Sequence, residues 1–194
     1  TGFDFEVSTD GIQVEFCGAN GCGQFCQVES NQKLSSSTWT HVAMTYGDSS
    51  IKLYINGKLV QQSGCNFLPG PSSQPLMIGR EAPDLPRHYG GHMAGIAVWQ
   101  ETLSEAQINL IASGEKTAKA VGNASGYWPM NEGAGNEVKD LTTPADAGTI
   151  KGATWDADGP FCEPESGCPS GTKVEHNGRT YLFCGDLSAR SEAA

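Results

Sequence analysis

The sequence predicts an all-β protein of antiparallel strands with one short α-helix near residues 104–113. Three observations carry this. Residues 39–60, WTHVAMTYGDSSIKLYINGKLV, alternate apolar and polar side chains with period two through two strands and into a third. Glycine and proline are frequent, 25 and 10 among 194 residues, and apolar runs are short, the profile of a domain with many turns. A capping box at Ser104-Glu105-Ala106-Gln107, closed ten residues later by Gly114, marks the helix.

Taken in order, Phe3, Phe5 and Val7 face one way on a first strand and Asp4 and Glu6 the other. Asp10-Gly11 turns the chain, and Ile12, Val14 and Phe16 return. Residues 17–26, CGANGCGQFC, read as a stapled loop, with Phe25 to Val28 a short strand after it. In the central hairpin Val42, Met44 and Tyr46 share a face. Ile51, Leu53 and Ile55 share another, opposite Lys52, Tyr54 and Asn56. Gly47-Asp48-Ser49-Ser50 is turn chemistry. Asn56-Gly57 is the strongest short hairpin signal, because a type I′ turn needs positive φ at both central residues.

After a Ser/Gly/Pro-rich connection, Leu76 to Ile78 reads as a short strand, residues 80–91 as a long loop, and Met93 to Trp99 as a central strand. The helix directs Ile108, Ile111 and Ala112 inward. Gly126 to Asn131 is a strand that packs Trp128 and Met130, residues 132–146 a polar loop, and residues 148–155 a strand anchored by Ile150 and Trp155. Asn177-Gly178 signals a second hairpin between residues 172–175 and 180–183, and residues 187–194 read as a helix start. The expected organisation is a main domain over 1–158, a linker over 159–167 and a hairpin segment over 168–194.

Composition excludes several functions. The net charge is −10 and the basic residues are scattered, so no patch could displace the counterions of a nucleic acid. No run is long enough to span a membrane as a helix. Seven cysteines without Cys-x-x-Cys spacing point to disulfides in an oxidising compartment, with Cys65 free to pair with one of Cys17, Cys22 and Cys26, and Cys168 with Cys184. Asp4 and Glu6 have the residue types of an acid/base pair but lie on the polar face of a strand, where solvated carboxylates normally sit. His88 and His92 are four apart in a loop, where no helical face aligns them for a metal. Asn123-Ala124-Ser125 matches a glycosylation sequon.

Three blocks together resemble laminin-G-like jelly-roll domains of the concanavalin A-like lectin/glucanase superfamily, which includes the pentraxins. They are residues 39–60; PLMIGRE with GHMAGIAVWQETLSEAQI; and GYWPMNEGAGNEVKD with GTIKGATW. The resemblance covers residues 3–155 and implies a two-sheet jelly-roll sandwich. It implies a non-catalytic, secreted or surface recognition module for glycans or cell-surface glycoproteins, with a protein-binding adhesin spacer and a glycosidase accessory domain as the other readings. In pentraxin-like members acidic loop residues bind calcium, and the corresponding loop here holds Glu81 and Asp84. Ala94 and Gly95 stand where many members carry an acidic pair. The Glu-x-Asp-x-x-Glu strand motif of the related glucanases does not occur, which argues against hydrolysis. For sugar contact by stacking and hydroxyl-matched polar groups the candidates are Tyr54, Arg80, Tyr89 and His92. Residues 168–194 resemble the start of a C-type lectin-like domain.

Overall fold

Alternating apolar side chains build the first sheet of the structure, a computed structural model that describes residues 2–18, 21–67, 70, 75–80, 88–156, 172–176 and 179–183. Strands β1 (Gly2–Ser8), β2 (Gly11–Gly18) and β3 (Gly21–Ser30) pair antiparallel in that order. Phe3, Phe5 and Val7 stand opposite Phe16, Val14 and Ile12, so these six side chains share one face. The described part of the Gly- and Cys-rich segment, residues 17–18 and 21–26, is therefore strand and not loop. Val28 and Ser30 are buried and Cys26 is partly buried against the core, alternating with Phe25, Gln27 and Glu29 on the other face.

The second sheet orders β4 (Val42–Gly47), β5 (Ser50–Ile55) and β6 (Lys58–Gly64). Both of its turns have two central residues at positive φ: Asp48 (50°) and Ser49 (53°), then Asn56 (49°) and Gly57 (78°). Asn56 also clamps the entry to β4. Its N–H donates to the His41 carbonyl at 2.8 Å, and its Oδ1 accepts from the His41 N–H at 3.0 Å.

The two sheets pack face to face. Ile12, Val14, Phe16 and Val28 of the first meet Ile51, Leu53 and Ile55 of the second in a single core. The Phe16 ring meets the rings of Phe3 and Tyr46 edge-on, at centroid distances of 6.3 and 5.2 Å. A disulfide joins Cys26 on β3 to Cys65 just beyond β6, and the Tyr46 hydroxyl donates to the Phe67 carbonyl at 2.7 Å. Cys17 is also disulfide-bonded, and among the described residues no cysteine is free. These strands, together with α1 (Glu105–Ala112), belong to a compact unit of residues 1–91 and 102–116. Helix α1 begins as expected. Ser104 accepts from the Gln107 N–H at 3.3 Å and Gln107 Oε1 accepts from the Ser104 N–H at 2.9 Å. It stops at Gly114, whose N–H donates to the Ile111 carbonyl. Ile108 is its buried residue, while Ile111 and Ala112 are half-buried.

Residues 92–101 and 117–194 form a second unit. Here β7 (Ile96–Trp99) pairs antiparallel with β8 (Ala124–Trp128), and β9 (Glu137–Val138) with β10 (Gly148–Thr149). Strand β7 is shorter than the predicted 93–99 and, among the described residues, pairs with β8 alone, so it is not central. Tyr127, and not Trp128, is the buried aromatic of β8. Indole N–H groups secure this unit: Trp99 donates to the Val121 carbonyl, Trp128 to that of Asp146 and Trp155 to that of Gly135. Strands β11 (Thr172–His176) and β12 (Arg179–Phe183) pair in the register predicted for the second hairpin, His176 opposite Arg179. Its turn, the proposed Cys168–Cys184 bridge and the helix start at 187–194 lie outside the described residues.

The polar loop after β8 holds a buried anchor that the sequence did not reveal. Asp140 Oδ1 accepts from the backbone N–H groups of Tyr127, Thr142 and Thr143 and from the Thr142 hydroxyl, at 2.7–3.2 Å. Burial acts to raise its pKa, but these hydrogen bonds prevail and hold it below the ordinary 3.8. In the first unit burial lowers the His41 pKa from 6.5, and among the described residues no partner reaches its buried Nδ1.

The two shifts have the same sign and different windows. Neutral His41 is favoured by folding, so its contribution is whole above pH 6.5 and is lost as pH falls from there through the lower folded value. Ionised Asp140 contributes fully above pH 3.8 and loses that contribution as pH falls through its own depressed value. Urea stability is expected to decline on acidification in two steps, one below each of these limits, with His41→Gln removing the first. A profile flat from pH 7 to 4.5 would contradict the His41 step.

Candidate functional site

The residues around an open cleft on the flank of the first unit come from three places in the sequence. Register puts Thr45 of β4 directly opposite Lys52 of β5, and Tyr54 follows two residues on along the same face. Asp48 sits in the turn that joins the two strands. Residues 102–107 form the other wall, and Leu59 of β6 closes one end. The cleft holds about 430 Å³ and is lined by Thr45, Asp48, Lys52, Tyr54, Leu59 and residues 102–105 and 107.

The Thr102 side chain, packed on the Gly47 backbone, holds that wall in place. A Cβ on Gly47 would lie 2.4 Å from Thr102 Oγ1, and that hydroxyl donates to the Tyr46 carbonyl at 2.7 Å. Glu105 Oε1 accepts from the Leu59 N–H at 3.3 Å, tying the helix to β6. Ser104 and Gln107 are occupied by the capping box. The wall's polar groups thus maintain the frame. On the strand side the side chains of Asp48, Lys52 and Tyr54 have no hydrogen bond or ion pair among the described residues.

Tyr54 is a correction in one respect. The sequence places it on the face opposite Ile51, Leu53 and Ile55 as a candidate for sugar contact, but residues against that face, including several of 102–107, leave it only 3% exposed. It forms part of the cleft floor and cannot present a ring for a sugar to stack on. No local pattern in β5 could reveal this, because the cover comes from some fifty residues later in the chain.

Arg80 and Tyr89 are not among the residues that line the cleft. Leu76 to Ile78 form no strand: Leu76 is 50% and Ile78 39% exposed, and an isolated bridge pairs Arg80 with His88. The Tyr89 N–H donates to the Gly79 carbonyl at 2.9 Å, and the Tyr89 ring, 40% exposed, lies against Gly91. His92 belongs to the second unit, where its Nε2 is 3.5 Å from Asp156 Oδ2 at the surface. Glu81 and Asp84 lie outside the described residues. Among the described residues no group of three or more His, Cys, Asp or Glu side chains is placed to hold a metal ion. Asp4 is half-buried and Glu6 exposed on the edge strand of the first sheet, away from the cleft lining.

Two face-to-face antiparallel sheets with a polar cleft on one flank define a β-sandwich of the lectin-like class. The chain belongs to the laminin-G-like family of the concanavalin A-like lectin/glucanases superfamily, whose family model matches residues 1–109. The match stops before the third resembling block and the C-type lectin-like tail. A comparison with curated protein sequences finds no match. Among solved structures, the chain is similar to a protein from Bacteroides ovatus ATCC 8483 described as a candidate carbohydrate binding protein, at 20% identity and a TM-score of 0.53 over 75% of this chain and 43% of that one. It is also similar to residues 221–444 of an S-layer domain-containing protein from Clostridium thermocellum ATCC 27405, at 22% identity and a TM-score of 0.38 over 57% of this chain and 60% of that one. The chain thus spans less than two thirds of either solved chain, and at these identities the likeness concerns the fold alone.

Proposed function

We propose that this chain is a non-catalytic glycan-recognition module of an extracellular protein. The observation that carries the reading is the cleft. It is open and of ligand-pocket size, and uncommitted acceptor and donor side chains line it on a rigid hairpin. Family membership supports it, since the superfamily is named for its lectins. The Cys26–Cys65 disulfide suits an oxidising, extracellular setting. No described helix is long and apolar enough to cross a membrane. Calcium-dependent binding through Glu81 and Asp84 is the alternative form of this reading.

The test is a glycan array probed with the full chain, with calcium and with EDTA. Binding to a defined set of glycans is the expected result, and loss of that binding in EDTA would assign calcium a role. An array without any bound glycan overturns the reading.

A protein-binding spacer is the second reading, and a specific surface favours it. Leu76, Ile78 and Tyr89 are all exposed in a segment that the Tyr89–Gly79 hydrogen bond draws together. Binding to cell-surface glycoproteins that survives their deglycosylation, and is lost in Ile78→Ser with Tyr89→Ser, is the result this reading requires.

A further inference from the structure

We infer that the flank cleft recognises the vicinal hydroxyls of a neutral mono- or disaccharide directly, through Asp48 and Lys52, without a bridging metal. The inference rests on the glycan-recognition reading and goes further by naming the residues, the ligand chemistry and the independence from calcium.

The argument starts from hydrogen-bond capacity. A carboxylate only accepts and an ammonium only donates, whereas each sugar hydroxyl does both. Two adjacent hydroxyls can therefore donate to Asp48 and accept from Lys52 at once, through charge-assisted bonds stronger than neutral ones. The two groups have opposite charge on one hairpin yet form no ion pair with each other. Both are thus available to a ligand without first breaking a protein contact.

Position supports the assignment. Lys52 rises from β5 beside Thr45, whose Cβ lies roughly 5 Å across the strand pair by ladder geometry. Asp48 is three residues past Thr45, the first residue of the turn beyond the Gly47–Ser50 pair that ends the ladder. The backbone under the site is rigid: the Cys65 N–H donates to the Ser49 carbonyl at 2.8 Å, and Thr102 is hydrogen-bonded to the Tyr46 carbonyl next to the turn. Leu59, 40% exposed, supplies apolar surface for the C–H face of a sugar ring, in place of the aromatic platform that Tyr54 cannot provide. A cleft of about 430 Å³ suits one or two rings and not a long polymer. The lining carries two carboxylates, Asp48 and Glu105, and one ammonium, Lys52, so an anionic sugar would meet more like charge than opposite charge.

The experiment measures binding of the full chain to a panel of immobilised neutral mono- and disaccharides in EDTA, with sialylated and amino-sugar controls. The variants are Lys52→Met, which keeps the stem, and Asp48→Gly, which suits the positive φ of the turn. Circular dichroism and thermal melting check that each variant folds. We expect the parent to bind a neutral sugar in EDTA and each variant to lose affinity by about tenfold or more, the loss typical for a charge-assisted bond. Unchanged affinity in both folded variants overturns this inference and leaves the glycan reading standing. So does parent binding that vanishes in EDTA, or that is confined to charged sugars. A parent chain that binds none of the panel and nothing on the wider array overturns both.

Discussion

Replacing Cys26 and Cys65 together by alanine is expected to destabilise the first unit by about 4 kcal/mol, the chain-entropy value for a closed loop of this size. The bridge spans 39 positions and encloses the whole of the second sheet. In the unfolded chain it restricts all of that segment. In the folded protein it links β3 to the residues that follow β6, from which Tyr46 also receives a carbonyl acceptor at Phe67. Cys65 is wholly buried among Ile12, Val14, Phe16, Ile51 and Leu53, so alanine is the better replacement, since serine would add a buried hydroxyl. Natural domains are stable by roughly 5–15 kcal/mol, so the loss is a large part of the total. Urea unfolding under non-reducing conditions measures it. A midpoint unchanged from the parent would show that the sandwich core alone sets stability. Reductant acting on the parent is a poorer test, because Cys17 is also bridged.

Gly57→Val is expected to destabilise the same unit by about 3 kcal/mol, combining left-handed backbone strain with overpacking. Gly57 has φ of 78° in the second hairpin turn, a region costly for a β-branched residue. A Cβ there would also lie 2.9 Å from Asn109 Cα and 3.2 Å from Ala112 Cβ, so the turn and α1 touch backbone to backbone. The helix cannot yield without moving the wall of the cleft, and the variant should lose sugar binding as well as thermal stability. Gly57→Asn separates the causes. Asparagine tolerates the left-handed region but still carries the Cβ, so it should retain the packing loss and relieve most of the strain. Equal melting temperatures for Gly57→Asn and the parent would refute the helix contact.

Gly57 also illustrates what could be read in advance. The Asn56-Gly57 pair is legible in the sequence as a turn because φ preference is local. That α1 presses on it is not legible, because the helix comes some fifty residues later. Ser104, Gln107 and Gly114 were legible for the same local reason. Met93 to Gly95 were misread as strand, and Gly21 to Gln24 as loop, because short apolar or glycine-rich stretches do not define a period by themselves. Asp140 escaped notice because a carboxylate in a polar loop looks solvated until the loop closes over it.

The candidate site divides along the same line. The sequence placed Tyr54 on the right strand but not in its buried environment, and read Asp48 only as turn chemistry and Lys52 only as a position on one face of β5. Their value depends on having no partner, which is a property of three-dimensional neighbours and not of residue type. By itself the sequence determined the antiparallel all-β class, the central hairpin with its turns, the helix with its caps and the family resemblance. All of these rest on periodicity and backbone preference within a few residues. The tertiary structure alone decided that Cys26 pairs with Cys65, which face of β5 is covered, and which polar groups remain uncommitted beside the cleft. Those outcomes depend on contacts between segments distant in sequence, where burial and competition for hydrogen bonds are settled only when the chain is packed.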